Sequence, residues 1–447
     1  MNPLSRFIPL RRSMWRLANR FDGAALRYAF LKETMAHVRR SPDEIAARQL
    51  DALKRTLCLA KATVPYWRDT FRQIGFNPET IRSTRALEAL PITTKALIRE
   101  QGDRMLSERF DKRHLIPRTT GGSSGEPLRF YVDRPSLERQ MAVNLRTFTL
   151  AGLPDGEKVV KIWGYKSSLA AQNRFRHLSG RAFVSGFDTS DDAFRQWTML
   201  IRGFRPRGIY GYAGAIAHFA RYINDRSIDL PPVPVVMTTA ETLFPEMRDA
   251  IRRAFHGTVI DTYGAHECIR IATQCAHGTL HLQPDAAVVE FQETDTPNDR
   301  PLLLTTLHAD AMPFIRYDLG DRGAPSTAPC PCGLPFPAMT MTHGKVHRIF
   351  QLPDRTIHTT QLHQPLYRAS AIAKFQIRHT ARHHIDIAAV FRPGADEAAH
   401  REVDTIVTRL SAIAGSATTV NLRRVDRIPT TARGKHQPIL TDVPEDR

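Results

Sequence analysis

The chain has 447 residues, 42% of them apolar and 24% charged, with a formal net charge of +18. This is the balance of a soluble globular protein with two or three packed units, and it excludes a disordered chain. The positive excess favours polyanionic partners, whether phosphate-bearing small molecules, anionic lipid or nucleic acid, without choosing among them.

Residues 1–40 carry nine Lys/Arg against Asp22 and Glu33, yet no block is basic enough to read as a nucleic-acid tail. Within it Ile8, Leu10, Met14, Trp15, Leu17, Phe21, Leu26, Phe30 and Met35 recur near helical spacing. Such a basic amphipathic helix packs on the body of the protein or lies on an anionic membrane face. No uncharged apolar run approaches the roughly 18 residues of a membrane span, and the start lacks a signal-peptide pattern, so the expected location is cytoplasmic. Cys58, Cys268, Cys275, Cys330 and Cys332 are an odd number in a large chain, which argues against a disulfide framework.

From Lys158 onward, β-rich runs at 159–163, 233–237, 258–262 and 301–307 alternate with helical patterns at 193–203, 213–226 and 245–255. Strand and helix in alternation predict an α/β body with covered sheets. A polar strip at 341–345 separates this body from a tail that reads strand (373–377), strand (385–390), helix (397–412), strand (419–425). That is an α+β unit of about a hundred residues.

The sharpest local signal is Arg118-Thr119-Thr120-Gly121-Gly122-Ser123-Ser124-Gly125-Glu126-Pro127. Three glycines allow close backbone approach, and four hydroxyls with free amides suit phosphate oxygens. The P-loop signature Gly-Lys-Ser/Thr is absent and a strand follows. By itself such a stretch is more commonly a Gly/Ser turn between strands.

Four further motifs follow: Thr262-Tyr263-Gly264-Ala265-His266-Glu267, Ile315-Arg316-Tyr317-Asp318-Leu319-Gly320-Asp321, Gly344-Lys345-Val346, and Pro429-Thr430-Thr431-Ala432-Arg433-Gly434-Lys435. In this order, and with the approach segments Val64-Pro65-Tyr66-Trp67 and Leu90-Pro91-Ile92-Thr93-Thr94-Lys95, the chain resembles the adenylate-forming superfamily of acyl-CoA synthetases, in its phenylacetate-CoA ligase and CapK-like branch. The resemblance implies a large multi-sheet N-terminal domain (1–344) and a small mobile α+β C-terminal domain (345–447). It also implies an AMP-forming acid–thiol ligase that uses ATP and Mg²⁺ on a carboxylic acid, with coenzyme A as acceptor.

Carried over position by position, the resemblance puts Thr119, Thr120, Gly121, Gly122, Ser123, Ser124 and Gly125 over the ATP phosphates. Tyr263 lies on adenine, Asp321 on the ribose hydroxyls, and Ala240, Glu241, Gly264 and Lys345 along the same nucleotide. Glu267 would hold Mg²⁺, a hard cation that takes oxygen ligands. Lys435 would bridge carboxylate and α-phosphate, two anions that must be brought together. The segments facing the adenylate, with Trp163, Tyr165, Tyr212, Ala240 and Gly264, would set acid specificity, their aromatics favouring a flat or apolar acyl group.

Relatives carry Gly-Arg-x-Asp-Asp at the hinge, where this chain has Gly344-Lys345-Val346-His347-Arg348. Both acidic positions are replaced, which puts the second half-reaction or its acceptor in question. A CapK-like transfer to an amine, a hydroxyl or a carrier-protein thiol is the first alternative, and a non-catalytic nucleotide-binding homologue the second. A nucleic-acid binder has only the net charge behind it, so no nucleic-acid partner is expected.

Cys275, His281, Cys330 and Cys332 supply three thiolates and one imidazole, the count of a closed tetrahedral zinc site. Similar positions occur in the phenylacetate-CoA ligase branch. The other reading is small buried packing groups.

Overall fold

The computed structural model describes residues 24–120, 128–164, 173, 176–186, 188, 190–343, 349–392, 397–429 and 438–443. Its centre is an eleven-stranded sheet in the order β10-β11-β12-β13-β9-β8-β7-β6-β5-β3-β4. The strands are β3 Val159–Trp163, β4 Arg181–Ser185, β5 Gly208–Tyr212, β6 Val235–Thr239, β7 Thr258–Tyr263, β8 Ala272–Gln274, β9 Leu280–Leu282, β10 Ala287–Phe291, β11 Arg300–Thr306, β12 Tyr317–Ser326 and β13 Ala338–His343. A separate hairpin, β1 Ile116–Thr119 with β2 Arg129–Val132, brackets the Gly/Ser segment.

From β4 to β7 every neighbouring pair is parallel, and from β7 to β10 every pair is antiparallel. Parallel neighbours need crossovers, and the sequence supplies them as amphipathic helices. Along the chain come α1 Ala24–His37, α2 Pro42–Thr63, α3 Arg134–Leu150, α4 Asp191–Phe204, α5 Ala213–Asp225 and α6 Pro245–Phe255. On α4 the buried Ala193, Phe194, Trp197, Thr198, Ile201 and Phe204 fall at helical spacing on one face, and Ser190 caps the N-terminus by accepting from Ala193 N. With α5 and α6 they close one core around Phe219, Ile251 and Phe255. Another core lies under the antiparallel half, around Trp67, Phe130, Leu304 and Tyr317.

On α3, Arg146 is completely buried yet bonded to Asp285, to Gln283 Oε1 at 2.7 Å and to the Thr34 carbonyl at 3.0 Å. Burial works against the Asp285 charge, but Arg146 and His37 outweigh it and hold the carboxyl below its usual range. This network fixes α1 and α3 against the strand connections of the antiparallel half. The described part of the basic N-terminal segment is thus a helix packed on the body; residues 1–23 lie outside the described residues.

Past the large sheet, β16 Ile372–Ala381, β17 His384–Phe391, β18 Thr419–Arg424 and β19 Ile439–Thr441 form a second sheet, ordered β18-β17-β16-β19. A short hairpin, β14 Ile349–Gln351 with β15 Thr356–His358, precedes it. The helices α7 Thr359–Arg368 and α8 Glu397–Ala414 accompany it over its own core of Phe350, Leu362, Ile377, Ile385 and Leu410. It meets the larger body at an Arg392–Asp225 ion pair and at Phe244 against His363, ring centres 4.3 Å apart. Within the polar strip, Met341 to His343 form the end of β13, because strand pairing with β12 runs through His343. The fold class is the expected one, mixed α/β with a large sheet and a smaller α+β unit. Among the described residues no helix is long and apolar enough to cross a membrane.

Candidate active site

The seam of the sheet is β7, parallel to β6 and antiparallel to β8. Tyr263 ends this strand. The chain then turns tightly, with Ala265 N donating to the Cys268 carbonyl at 2.8 Å and Ile271 N to the Tyr263 carbonyl at 2.9 Å. A Cβ on Gly264 would stand 2.2 Å from the Ile269 carbonyl oxygen, so the motif glycine is sterically required.

Across the turn, Tyr263 Oη donates to Asp321 Oδ2 at 2.8 Å, and Tyr317 Oη donates to Glu267 Oε1 at 2.9 Å. Glu267 and Asp321 are each 3% exposed. Burial and the Glu267 charge push the Tyr317 hydroxyl above the ordinary tyrosine range, so it stays protonated and keeps donating. Among the described residues no cation pairs with Glu267, which leaves a buried carboxylate with one oxygen fixed by Tyr317. That donor set suits a hard divalent cation.

Sequence reasoning gave Tyr317 no role, although it stood inside a quoted motif; the signal was a tyrosine four residues before Asp321 on a strand. Thr93 was likewise unassigned. Its amide donates to the Arg316 carbonyl, its carbonyl accepts from Asp318 N, and its hydroxyl donates to the Ile315 carbonyl. Arg316 takes a left-handed φ of 47° and sends its guanidinium to Glu290 at 2.9 Å and to the Leu90 carbonyl at 2.5 Å. The Leu90–Lys95 segment and the Asp321 motif are therefore one tied unit.

Thr119 ends β1. Thr120 is buried, its hydroxyl accepts from Leu128 N at 3.0 Å and its amide donates to the Leu128 carbonyl at 2.9 Å. It closes the base of the loop. Gly121, Gly122, Ser123, Ser124 and Gly125 lie outside the described residues, as do Tyr165, Lys345 and Lys435.

At the ends of the parallel strands, Trp163 packs on Tyr212 with ring centres 4.7 Å apart and on Tyr210 at 5.6 Å. After β6, the exposed Ala240 holds a left-handed φ of 69°, a strained conformation for alanine. Glu241 Oε2 accepts from Gly214 N at 2.6 Å and so joins this turn to the start of α5. Ligand sites of parallel sheets form outside the carboxyl ends of strands, where Trp163, Tyr212, Ala240 and Gly264 lie.

Away from the seam, the ligand atoms of Cys275, His281, Cys330 and Cys332 all lie within 4.8 Å of one another. Cys275 and Cys330 sulfurs are 3.5 Å apart, and Cys332 Sγ is 3.3 Å from His281 Nε2. His281 Nδ1 sits 3.0 Å from the Phe336 carbonyl, the outer contact that orients a metal-binding imidazole. Burial, Cys330 and Cys275 push the Cys332 thiol up, a crowding that a divalent cation relieves. The four residues fit tetrahedral zinc. They join the β8–β9 hairpin to the β12–β13 connection, and all five cysteines are free of disulfides.

No family model matches the chain. It is 28% identical to protein CapK of Staphylococcus aureus over 53% of each chain, so the match spans about half the length of that relative. It is 22% identical to phenylacetate-coenzyme A ligase of Thermus thermophilus over 72% of this chain and 74% of that one. Among solved structures, 2-hydroxyisobutyryl-CoA ligase in its postadenylation state superposes over 91% of both chains with a TM-score of 0.73 at 16% identity, which speaks for the fold. In sequence the chain is thus similar to CapK and to phenylacetate-CoA ligases, and in fold to an acyl-CoA ligase.

Proposed function

We propose that the protein is an ATP-dependent, AMP-forming carboxylate ligase that makes an acyl-adenylate and passes the acyl group to coenzyme A. The observation behind it is the seam: Tyr263 with Asp321 and Glu267 with Tyr317 are motif residues 58 and 50 positions apart, brought into direct hydrogen bonds. The names of the relatives, phenylacetate-CoA ligases, point the same way.

In the first half-reaction a carboxylate oxygen attacks the α-phosphorus of ATP, the bond to the bridging oxygen breaks and pyrophosphate leaves. In the second, a thiol sulfur attacks the acyl carbon and AMP leaves. Asp321 accepts from the ribose hydroxyls, and Tyr263 offers its ring to adenine. Thr119 to Gly125 surround the β- and γ-phosphates, with Thr120 setting the base of that loop. Glu267 would hold Mg²⁺, which neutralises phosphate charge when bound. Lys435, on the small domain spanning 345–447, bridges the two reacting anions, and Lys345 adds a charge contact at the hinge. Trp163, Tyr165, Tyr212, Ala240 and Gly264 face the acyl group. Cys275, His281, Cys330 and Cys332 would hold a structural zinc.

A second reading keeps adenylation but changes the acceptor to an amine, a hydroxyl or a carrier-protein thiol. The CapK similarity and the replaced hinge acids favour it, and residues 1–40 as a contact to the cytoplasmic membrane face belong with it. A carboxylate panel with ATP and Mg²⁺, followed first for pyrophosphate and then for CoA consumption, separates the two. Pyrophosphate with CoA loss supports the ligase, and pyrophosphate without it supports the other acceptor. Nucleotide binding with no pyrophosphate from any acid overturns both.

A further inference from the structure

Arg270 is 1% exposed, and none of the roles above uses it. Its Nη2 donates to Asn144 Oδ1 at 2.5 Å and lies 3.5 Å from Tyr210 Oη. Nε and Nη1 have no acceptor, and among the described residues no carboxylate forms an ion pair with it. A buried guanidinium left without a counter-charge is strongly unfavourable, and buried arginines are normally paired. Arg146 on the neighbouring helix face obeys that rule through Asp285. Asp261, a carboxylate that feels the Arg270 charge, is engaged elsewhere: it accepts from the Thr238 hydroxyl at 2.6 Å and is drawn more strongly to Arg248.

A second, half-buried cation shares the sheet face of Tyr210. Lys161 of β3 is the direct partner of Tyr210 on β5, so both side chains share one face of the sheet. Among the described residues Lys161 also has no ion pair. Burial, then Arg181, depress its ammonium to about 7, with Asp155 opposing. Trp163, two residues further along β3, shares that face, its ring 5.6 Å from that of Tyr210. Asn144, Lys161, Trp163 and Tyr210 are half-buried rather than sealed, so the strip is open on one side.

We infer that Arg270, Tyr210 and Lys161 form a subsite for a second negatively charged group on the activated acid, so that the substrate is a carboxylic acid bearing a further anionic substituent on a small flat or apolar frame. This rests on the ligase reading. Arg270 follows Glu267 by three residues, at most roughly 11 Å of chain, so one small molecule reaches from the seam to the guanidinium. The second anion supplies the missing acceptors for Nε and Nη1, and a monoacid leaves them orphaned. A site built around buried donors discriminates strongly against ligands that cannot pair them.

The test uses the full chain, ATP and Mg²⁺, with each diacid set against its monoacid: benzene-1,3- and benzene-1,4-dicarboxylate against benzoate, and succinate against butyrate. Pyrophosphate release gives kcat/KM, and calorimetry gives binding of the diacids. At least one diacid is expected to exceed its monoacid by about ten- to a hundredfold. Arg270→Met should abolish that ratio, and should Arg270→Met fail to fold, Tyr210→Phe and Lys161→Met should lower it. Turnover of the acids with no diacid preference overturns the subsite and leaves the ligase reading standing. Diacid binding that Arg270→Met or Lys161→Met removes, with no pyrophosphate from any acid, keeps the subsite and overturns the ligase reading. Neither binding nor turnover overturns both.

Discussion

The two halves of the large sheet do different work. On the parallel side, β3, β5 and β6 deliver Trp163, Tyr212 and Ala240 to a common edge simply by ending there, and the helices between them carry the stability. On the antiparallel side, strand ends alternate direction, so nothing accumulates at one edge. That half contributes through cross-links instead: Tyr317 to Glu267, Asp321 to Tyr263, Arg316 to Glu290, and the Cys/His cluster. Polar chemistry collects at β7, where one half's strand end meets the other half's side chains.

The largest effect should come from a residue of neither half. Lys435→Ala is expected to cut pyrophosphate release by about 10³-fold, with ATP binding nearly unchanged by calorimetry. Adenylation at the wild-type rate would detach the small domain from the chemistry. Next, Glu267→Gln, isosteric at the seam, should lower the same rate about 10²-fold while Tyr317 keeps a hydrogen-bond partner. A rate within a few-fold of wild type would mean that the seam only holds the halves together.

In the antiparallel half, Cys332→Ser should weaken zinc binding by at least about 10-fold and lower the melting temperature as a chelator does. Purified protein without zinc, equally stable in chelator, would make the cluster a packing feature. In the parallel half, Ile216→Val removes one methylene from a fully buried site and should cost about 1 kcal/mol in denaturant unfolding. Its effect should add to that of Cys332→Ser, because distant sites are independent. Strong non-additivity would show that the two sites are energetically coupled across the sheet.

The sequence made some features readable and hid others for physical reasons. Periodicity marked α4, α5, α6, β7, β16 and β17 to within a few residues, because a helix or strand must turn one face to a core. At the polar strip 341–345 the strand was not read, since β13 alternates Met339 and Met341 with polar residues between two other strands of the sheet. Asp321 and Glu267 were visible as motif carboxylates. Arg270 was not, because an arginine among apolar neighbours gives no hint of whether a partner waits across the fold.

By itself, the order of residues determined the class of the fold, the glycine that the turn after Tyr263 requires, and which carboxylates, thiols and amines are available for chemistry. These follow from local sterics and from functional-group identity, both encoded residue by residue. Only the tertiary structure decided who meets whom. It put Tyr317 on Glu267, gathered Cys275 and His281 with Cys330 and Cys332, gave Arg146 a counter-charge and withheld one from Arg270. Burial and long-range contact set those outcomes, and neither exists until distant segments pack and exclude water.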